Sequence, residues 1–350
     1  MKKLIVICAL IACAACAPGK AEIDRSLQNG IVWPGVPEKP RIAYLWSLRK
    51  VSDSGIGDQA PVQILNRSEH DFNFRDSAES ESRVRDSDFL SAPQGVAAAD
   101  GKLYIADPEA KRINVIDLGG MESSYFYRTG DGDLEYPVAV AAAPGGVIFV
   151  SDPQMKKVFA FDEKGNCEFA FEGDFKRPTG LAVDAERKVV YVVDTWAHTI
   201  YSYDFSGKRL GRIGRRGDKP GELNFPTYAA VGSDGCIYVA DTGNFRVQIF
   251  RPDGSFSGAF GKPGDAFDDF DKIKGIALDR EGHIYIADSA QDMVKIYDRQ
   301  GKLLLFFGRK GNNYGDFLMP EGIAIDSKDS IYVADSLNMR IEAFRFLGGR

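Results

Sequence analysis

The sequence predicts an all-β fold, a six-bladed β-propeller whose ring is closed by an N-terminal strand that completes the last blade. Three observations carry this. One strand motif (LYIAD, IFVSD, VYVVD, IYVAD, IYIAD, IYVAD) occurs six times and ends each time in an aspartate: Asp107, Asp152, Asp194, Asp241, Asp288 and Asp335. These aspartates stand 45, 42, 47, 47 and 47 residues apart, which is the period of a four-stranded propeller blade. The sixth repeat carries only three strands up to Arg350, and an alternating segment at 41–48, RIAYLWSL, stands before the first repeat with no partner there. Joining the two removes an open sheet edge.

Composition agrees. Of 350 residues 44% are hydrophobic, enough for a full core, and 37 are glycines, as turn-rich β proteins require. The net charge of −6 argues against a nucleic-acid binder, which needs a basic surface to neutralise phosphates. Three histidines, His70, His198 and His283, leave little room for multi-histidine metal chemistry.

In chain order, Lys2 and Lys3 precede an apolar stretch, Leu4 to Ala12, that is too short to span a bilayer. Leu10-Ile11-Ala12-Cys13 resembles the lipobox of a bacterial lipoprotein signal, which implies cleavage after residue 12 and a lipid on Cys13, with Cys16 the alternative. The resemblance implies a protein of the bacterial cell envelope, anchored to the membrane by lipid, with the outer membrane favoured. The mature charge is then −8. Residues 13–40 hold four prolines and read as a tether, or else as a packed arm using Ile31, Val32 and Trp33. Residues 41–350 form the propeller, with 51–91 as an insertion. That insertion carries nine acidic and four basic residues and eight serines. It fits an acidic lid on the top face or a disordered surface loop.

Each repeat follows one grammar. An apolar strand opens, often with Pro-x-Gly (PQG at 93, PTG at 178, PEG at 320), and the Asp-ending strand follows. A third strand begins about four residues later, and a fourth ends in Phe-Gly or similar. The strand openings and the loops after the aspartates therefore share one face, called top here. DTGNFRVQIF (241–250), ADSLNMRIEAF (334–344) and GRRGDKPGELNFPTYAAV (211–228) resemble NHL repeats. That resemblance implies a six-bladed propeller and leaves the activity open, since such propellers serve as RNA- or protein-binding modules and as an amidating lyase.

The six aspartates are expected to cap their own loops through backbone N–H groups two residues on. Arg112, Lys157, Arg246 and Arg340, five positions later, are expected to brace them. Departures from the repeat mark the candidate site. At the x of Pro-x-Gly stand Gln94, Val138, Thr179, Thr227, Lys274 and Glu321, which ring the mouth of the central channel. Lys274 and Glu321 are in neighbouring blades and are expected to pair. Tyr228 takes the place of the glycine in blade 4, and Trp196 and His198 lie in the top loop of blade 3. Together these suit a protein, peptide or glycan ligand. No HExxH, P-loop, GxSxG or CxxC motif is present, and DGDLE (131–135) and DAFDDFD (265–271) lack EF-hand spacing. The sequence thus reads as a non-enzymatic binding module without a cofactor. The alternative is a hydrolase or lyase with a calcium or zinc ion in the channel. Cys167 and Cys236 fall two blades apart and read as unpaired.

Overall fold

The computed structural model describes residues 31–34, 41–49 and 89–348. The lipobox, Cys13, Cys16, His70, most of residues 13–40, Lys50 and residues 51–88 of the insertion lie outside the described residues. Five four-stranded antiparallel sheets and one five-stranded sheet form the blades. Their innermost strands are Gly95–Ala99, Ala139–Ala143, Pro178–Asp184, Ala229–Val231, Ile273–Leu278 and Pro320–Ile325. The expected propeller is therefore observed, six blades in all.

Closure occurs as the unpaired segment requires. Ile42–Leu48 runs antiparallel to Arg340–Phe346, with Ile42 opposite Phe346 and Leu48 opposite Ile341. A further two-residue strand, Val32–Trp33, pairs with Ile42–Ala43 on its outer side. Trp33 packs its ring 5.7 Å from both Phe307 and Phe344. Residues 31–34 are thus a packed arm rather than tether. At the top end of the closing strand, Leu90 N–H donates to the Arg49 carbonyl at 2.9 Å, so the insertion leaves and re-enters the propeller at one point on the top face.

The core lies between blades, because each twisted sheet buries both faces against its neighbours. Tyr104 and Ile113 of blade 1 pack with Val140 and Ile148 of blade 2, and the pattern repeats around the ring. Pro-x-Gly has a packing reason. A Cβ on Gly322 would stand 2.3 Å from the Gln94 carbonyl, and one on Gly180 2.5 Å from that of Thr227, so glycine lets adjacent innermost strands touch. Cys167 and Cys236 are both free.

The aspartates do more than the local caps expected of them. Asp107 accepts from Ser91 and Ala92 N–H at 2.8 and 3.0 Å, and Asp194 from Lys176 and Arg177 N–H at 2.7 and 2.9 Å. Asp152, Asp241, Asp288 and Asp335 likewise hold backbone just ahead of their own blade's first strand. Local capping is added at Asp152, by Gln154 and Met155, and at Asp194, by Ala197. Each carboxylate therefore fixes where its blade begins. Burial costs the charge, and it raises the Asp107 and Asp335 carboxyls above their ordinary range despite these donors.

Arg246 and Arg340 brace these clamps as expected. Arg340 donates to Asp335 at 2.8 Å and to the carbonyls of Asn313 and Asp316. Lys157 instead meets Asp131 at the surface, 2.6 Å away. Arg112 is buried with its guanidinium 4.6 Å over the Tyr125 ring. In blade 5 the cation comes from Lys295, two positions further on, fully buried 3.0 Å from Asp288.

Candidate functional site

Pro178 sits opposite Asp194, Ile273 opposite Asp288 and Pro320 opposite Asp335, so strand openings and post-aspartate loops do share the top face. The candidate residues separate into three groups there.

Lys274 and Glu321 meet at the channel mouth. The Lys274 ammonium lies 3.0 and 3.2 Å from the two Glu321 oxygens, with the carboxylate buried and the lysine partly exposed. Gln94 is the next side chain round the ring, beside the Tyr136 phenol. Burial above all, and then the carboxylate of Glu109, raise that phenol above its ordinary range, with the more distant Glu321 acting in the same direction. Tyr136 was hidden from the sequence reading because it precedes the blade 2 opening rather than occupying its x position. Tyr228, the residue in place of glycine, reaches across the channel, and its hydroxyl donates to the Val138 carbonyl of blade 2 at 3.2 Å. Burial, reinforced by the Glu321 carboxylate, holds this phenol protonated far above its usual range. The phenol thus floors the mouth.

Thr179 and Thr227 form the wall. Thr179 Oγ1 pairs with Thr195 Oγ1 at 2.7 Å and Thr227 Oγ1 with Thr242 Oγ1 at 2.8 Å. Thr195 and Thr242 then donate to the Pro226 and Ile273 carbonyls of the following blades, at 2.7 and 2.8 Å. These hydroxyls staple blade to blade.

Trp196 and His198 part company. Trp196 is 54% exposed, with the Arg177 guanidinium 5.2 Å over its ring. His198 is buried at the seam of blades 3 and 4, where Nδ1 accepts from the Phe225 N–H at 3.1 Å. Blade 5 uses Asp292 in the same column, accepting from Met319 N–H at 2.8 Å. Lys111, Lys156, His198, Phe245, Asp292 and Met339 all hold φ between 51° and 55°, so His198 occupies a left-handed corner that every blade possesses. Burial first, then the Arg216 and Lys176 cations, hold its imidazole below the ordinary range, consistent with a neutral acceptor. His283 lies on the opposite face, 2.7 Å from Asp279.

These residues do not fit a divalent ion at the mouth. Glu321, the carboxylate that the described residues bring to the mouth, is already matched by Lys274, whose charge would repel a metal. Among the described residues no three His, Cys, Asp or Glu side chains converge as ligands.

The sequence matches the SMP-30/Gluconolactonase/LRE-like region family over residues 94–267 and the NHL repeat over residues 317–344. No curated protein matches it. Among solved structures, a streptogramin B lyase is similar with a TM-score of 0.55 at 14% identity, over 73% of this chain and 94% of that one. Virginiamycin B lyase from Staphylococcus aureus gives 0.53 at 13%, over 73% and 96%. Hydrazine synthase from Kuenenia stuttgartiensis gives 0.55 at 13%, over 74% and 96%. At these identities the likeness is one of fold. The expectation of a non-enzymatic module is nevertheless corrected, because the matched family is named for a gluconolactonase and lyases stand among the structural neighbours. Missing local motifs were a poor reason to exclude catalysis, since a propeller gathers single side chains from separate blades and needs no contiguous signature. The chain is a six-bladed β-propeller, similar over residues 94–267 to the SMP-30/Gluconolactonase/LRE-like region and over 317–344 to the NHL repeat.

Proposed function

We propose that this chain is a lipid-anchored protein of the cell envelope that takes a peptide or glycan at its top face and acts on it by proton transfer at the channel mouth. The observation that carries the reading is the Lys274–Glu321 pair, two off-repeat charges from adjacent blades over the Tyr228 floor. A carbonyl group inserted at the pair would accept from the Lys274 ammonium and release a Glu321 oxygen. Glu321 is then the base that takes a proton from water or substrate, and Lys274 faces the negative charge that develops. The family match and the lyase neighbours support a reaction of this class, lactone opening or elimination.

Purified protein assayed against a panel of lactones and streptogramin B is expected to turn over at least one member. Glu321→Gln is expected to lower that turnover by about 100-fold or more with an unchanged fold. Turnover that survives the change would remove Glu321 from the chemistry. The anchor is tested separately. Cys13→Ser is expected to abolish lipidation, read by intact mass, and to release the protein from the membrane fraction. A wild-type mature form without lipid would refute the anchor. No helix among the described residues is long and apolar enough to cross a membrane.

A further inference from the structure

On the top rim, outside the mouth, blades 3 and 4 assemble a surface that the reaction does not use. Trp196 is 54% and Phe225 44% exposed, and they flank the buried His198, whose ring lies 4.5 Å from that of Phe225. Large apolar side chains are exposed elsewhere on the surface too, Phe267 among them; these two are set apart by the cations beside them. Arg177 lies over Trp196, and Lys176 and Arg216 stand close enough to His198 to act on its charge. None of these three cations pairs with a carboxylate among the described residues, whereas the neighbouring Arg215 is held by Glu222 at 3.0 Å. In a chain of net charge −6 these cations gather at one place, with the buried Asp194 and Asp241 acting on the same imidazole from behind.

We infer that this rim is a binding subsite for an acidic glycan, with a sugar ring laid on Trp196 and its carboxylate met by Arg177, Lys176 and Arg216. The inference rests on the proposed top-face reading and gives its ligand a chemical class. Charge complementarity selects an anion. The form of the surface selects a saccharide. It is a half-exposed indole with one guanidinium over its ring, which leaves the other face for a flat ring whose charged group reaches the cation. A tightly bound peptide is usually held by side-chain pockets or a free strand edge, and Trp196 and Phe225 stand on loops.

The test uses the whole protein and an oligogalacturonate as probe. Its neutral reduced counterpart, a polyglutamate peptide and a single-stranded oligonucleotide serve as comparisons, with affinity read by calorimetry. The oligouronate is expected to bind at least about tenfold tighter than the neutral sugar, and to weaken as salt rises from about 0.05 to about 0.5 M. Trp196→Ala and Arg177→Gln are each expected to weaken it about tenfold or more, and Arg216→Gln by a smaller factor, while melting stays unchanged. Equal binding of the neutral sugar, tighter binding of polyglutamate or the oligonucleotide, or indifference to Trp196→Ala each overturns the inference. Glu321→Gln is expected to leave oligouronate affinity intact, so that lost turnover with retained binding separates the mouth from the rim.

Discussion

Deletion of residues 41–48 is expected to abolish cooperative folding of the propeller. The segment buries Ile42, Ala43, Tyr44, Leu45 and Leu48 and supplies the outer ladder for Arg340–Phe346. At roughly 1.5–3 kcal/mol for each large apolar side chain, its loss is comparable to the whole stability of a typical domain, about 5–15 kcal/mol. Blade 6 would also expose a long unpaired edge next to Phe344 and Phe307, so aggregation is the expected fate. Graded truncation makes the test sharp. Removal of residues 1–30 is expected to leave melting unchanged, and removal through residue 40 to lower it, because Trp33 leaves its place against Phe307 and Phe344. Cooperative melting near the wild-type temperature without residues 41–48 would mean that the ring closes in another way.

Glu342→Gln is expected to stabilise the protein, and increasingly so as pH rises. Glu342 is fully buried 2.8 Å from Arg340 Nε, which already donates to Asp335 at 2.8 Å. One guanidinium thus serves two carboxylates. Burial pushes the Glu342 carboxyl up to about 8, with Arg340 opposing the rise and Asp335 adding to it. The folded state therefore holds a proton that the unfolded chain has released. The resulting stability is full below the ordinary carboxyl value of 4.5 and is lost as pH climbs through about 8. Within that window the loss runs at about 1.4 kcal/mol per pH unit. Blade 4 shows what the neutral amide does in this place. Gln248 accepts from the Gly221 N–H at 2.9 Å and donates to Asp241 at 2.9 Å. Denaturation of both proteins between pH 5 and 9 is expected to show the stability difference widening up to about pH 8 and then levelling. A difference independent of pH would show that Glu342 is ionised throughout.

The repeat made the fold legible. Six aspartate-ending strands at a near-constant interval leave few architectures open, and the unpaired RIAYLWSL segment pointed to its own partner. The Lys274–Glu321 pair could be read for a related reason, since both occupy one column of the repeat in adjacent blades. What escaped depends on three-dimensional reach. The aspartates bind backbone 15–18 residues upstream, a distance that no local turn rule suggests. Lys295 lies two positions past the expected cation column. His198 stood out by residue type, yet its column is a left-handed corner in every blade, and aligning it with Asp292 was the signal for a seam acceptor. Tyr136 and Arg177 precede strand openings, and only folding brings them beside the mouth and Trp196.

The Lys274–Glu321 pair is proposed to act on a substrate rather than merely to join blades 5 and 6. A double-mutant cycle of Lys274→Met and Glu321→Gln, read in both melting temperature and turnover, tests this most directly. A brace would couple the two changes in stability, because one charge left without the other in a partly buried site is costly. Turnover is expected to fall by about 100-fold or more in each single variant and little further in the double, whatever the pair contributes to melting. Intact turnover together with a melting temperature that drops in each single variant and recovers in the double would make the pair a structural brace and nothing more.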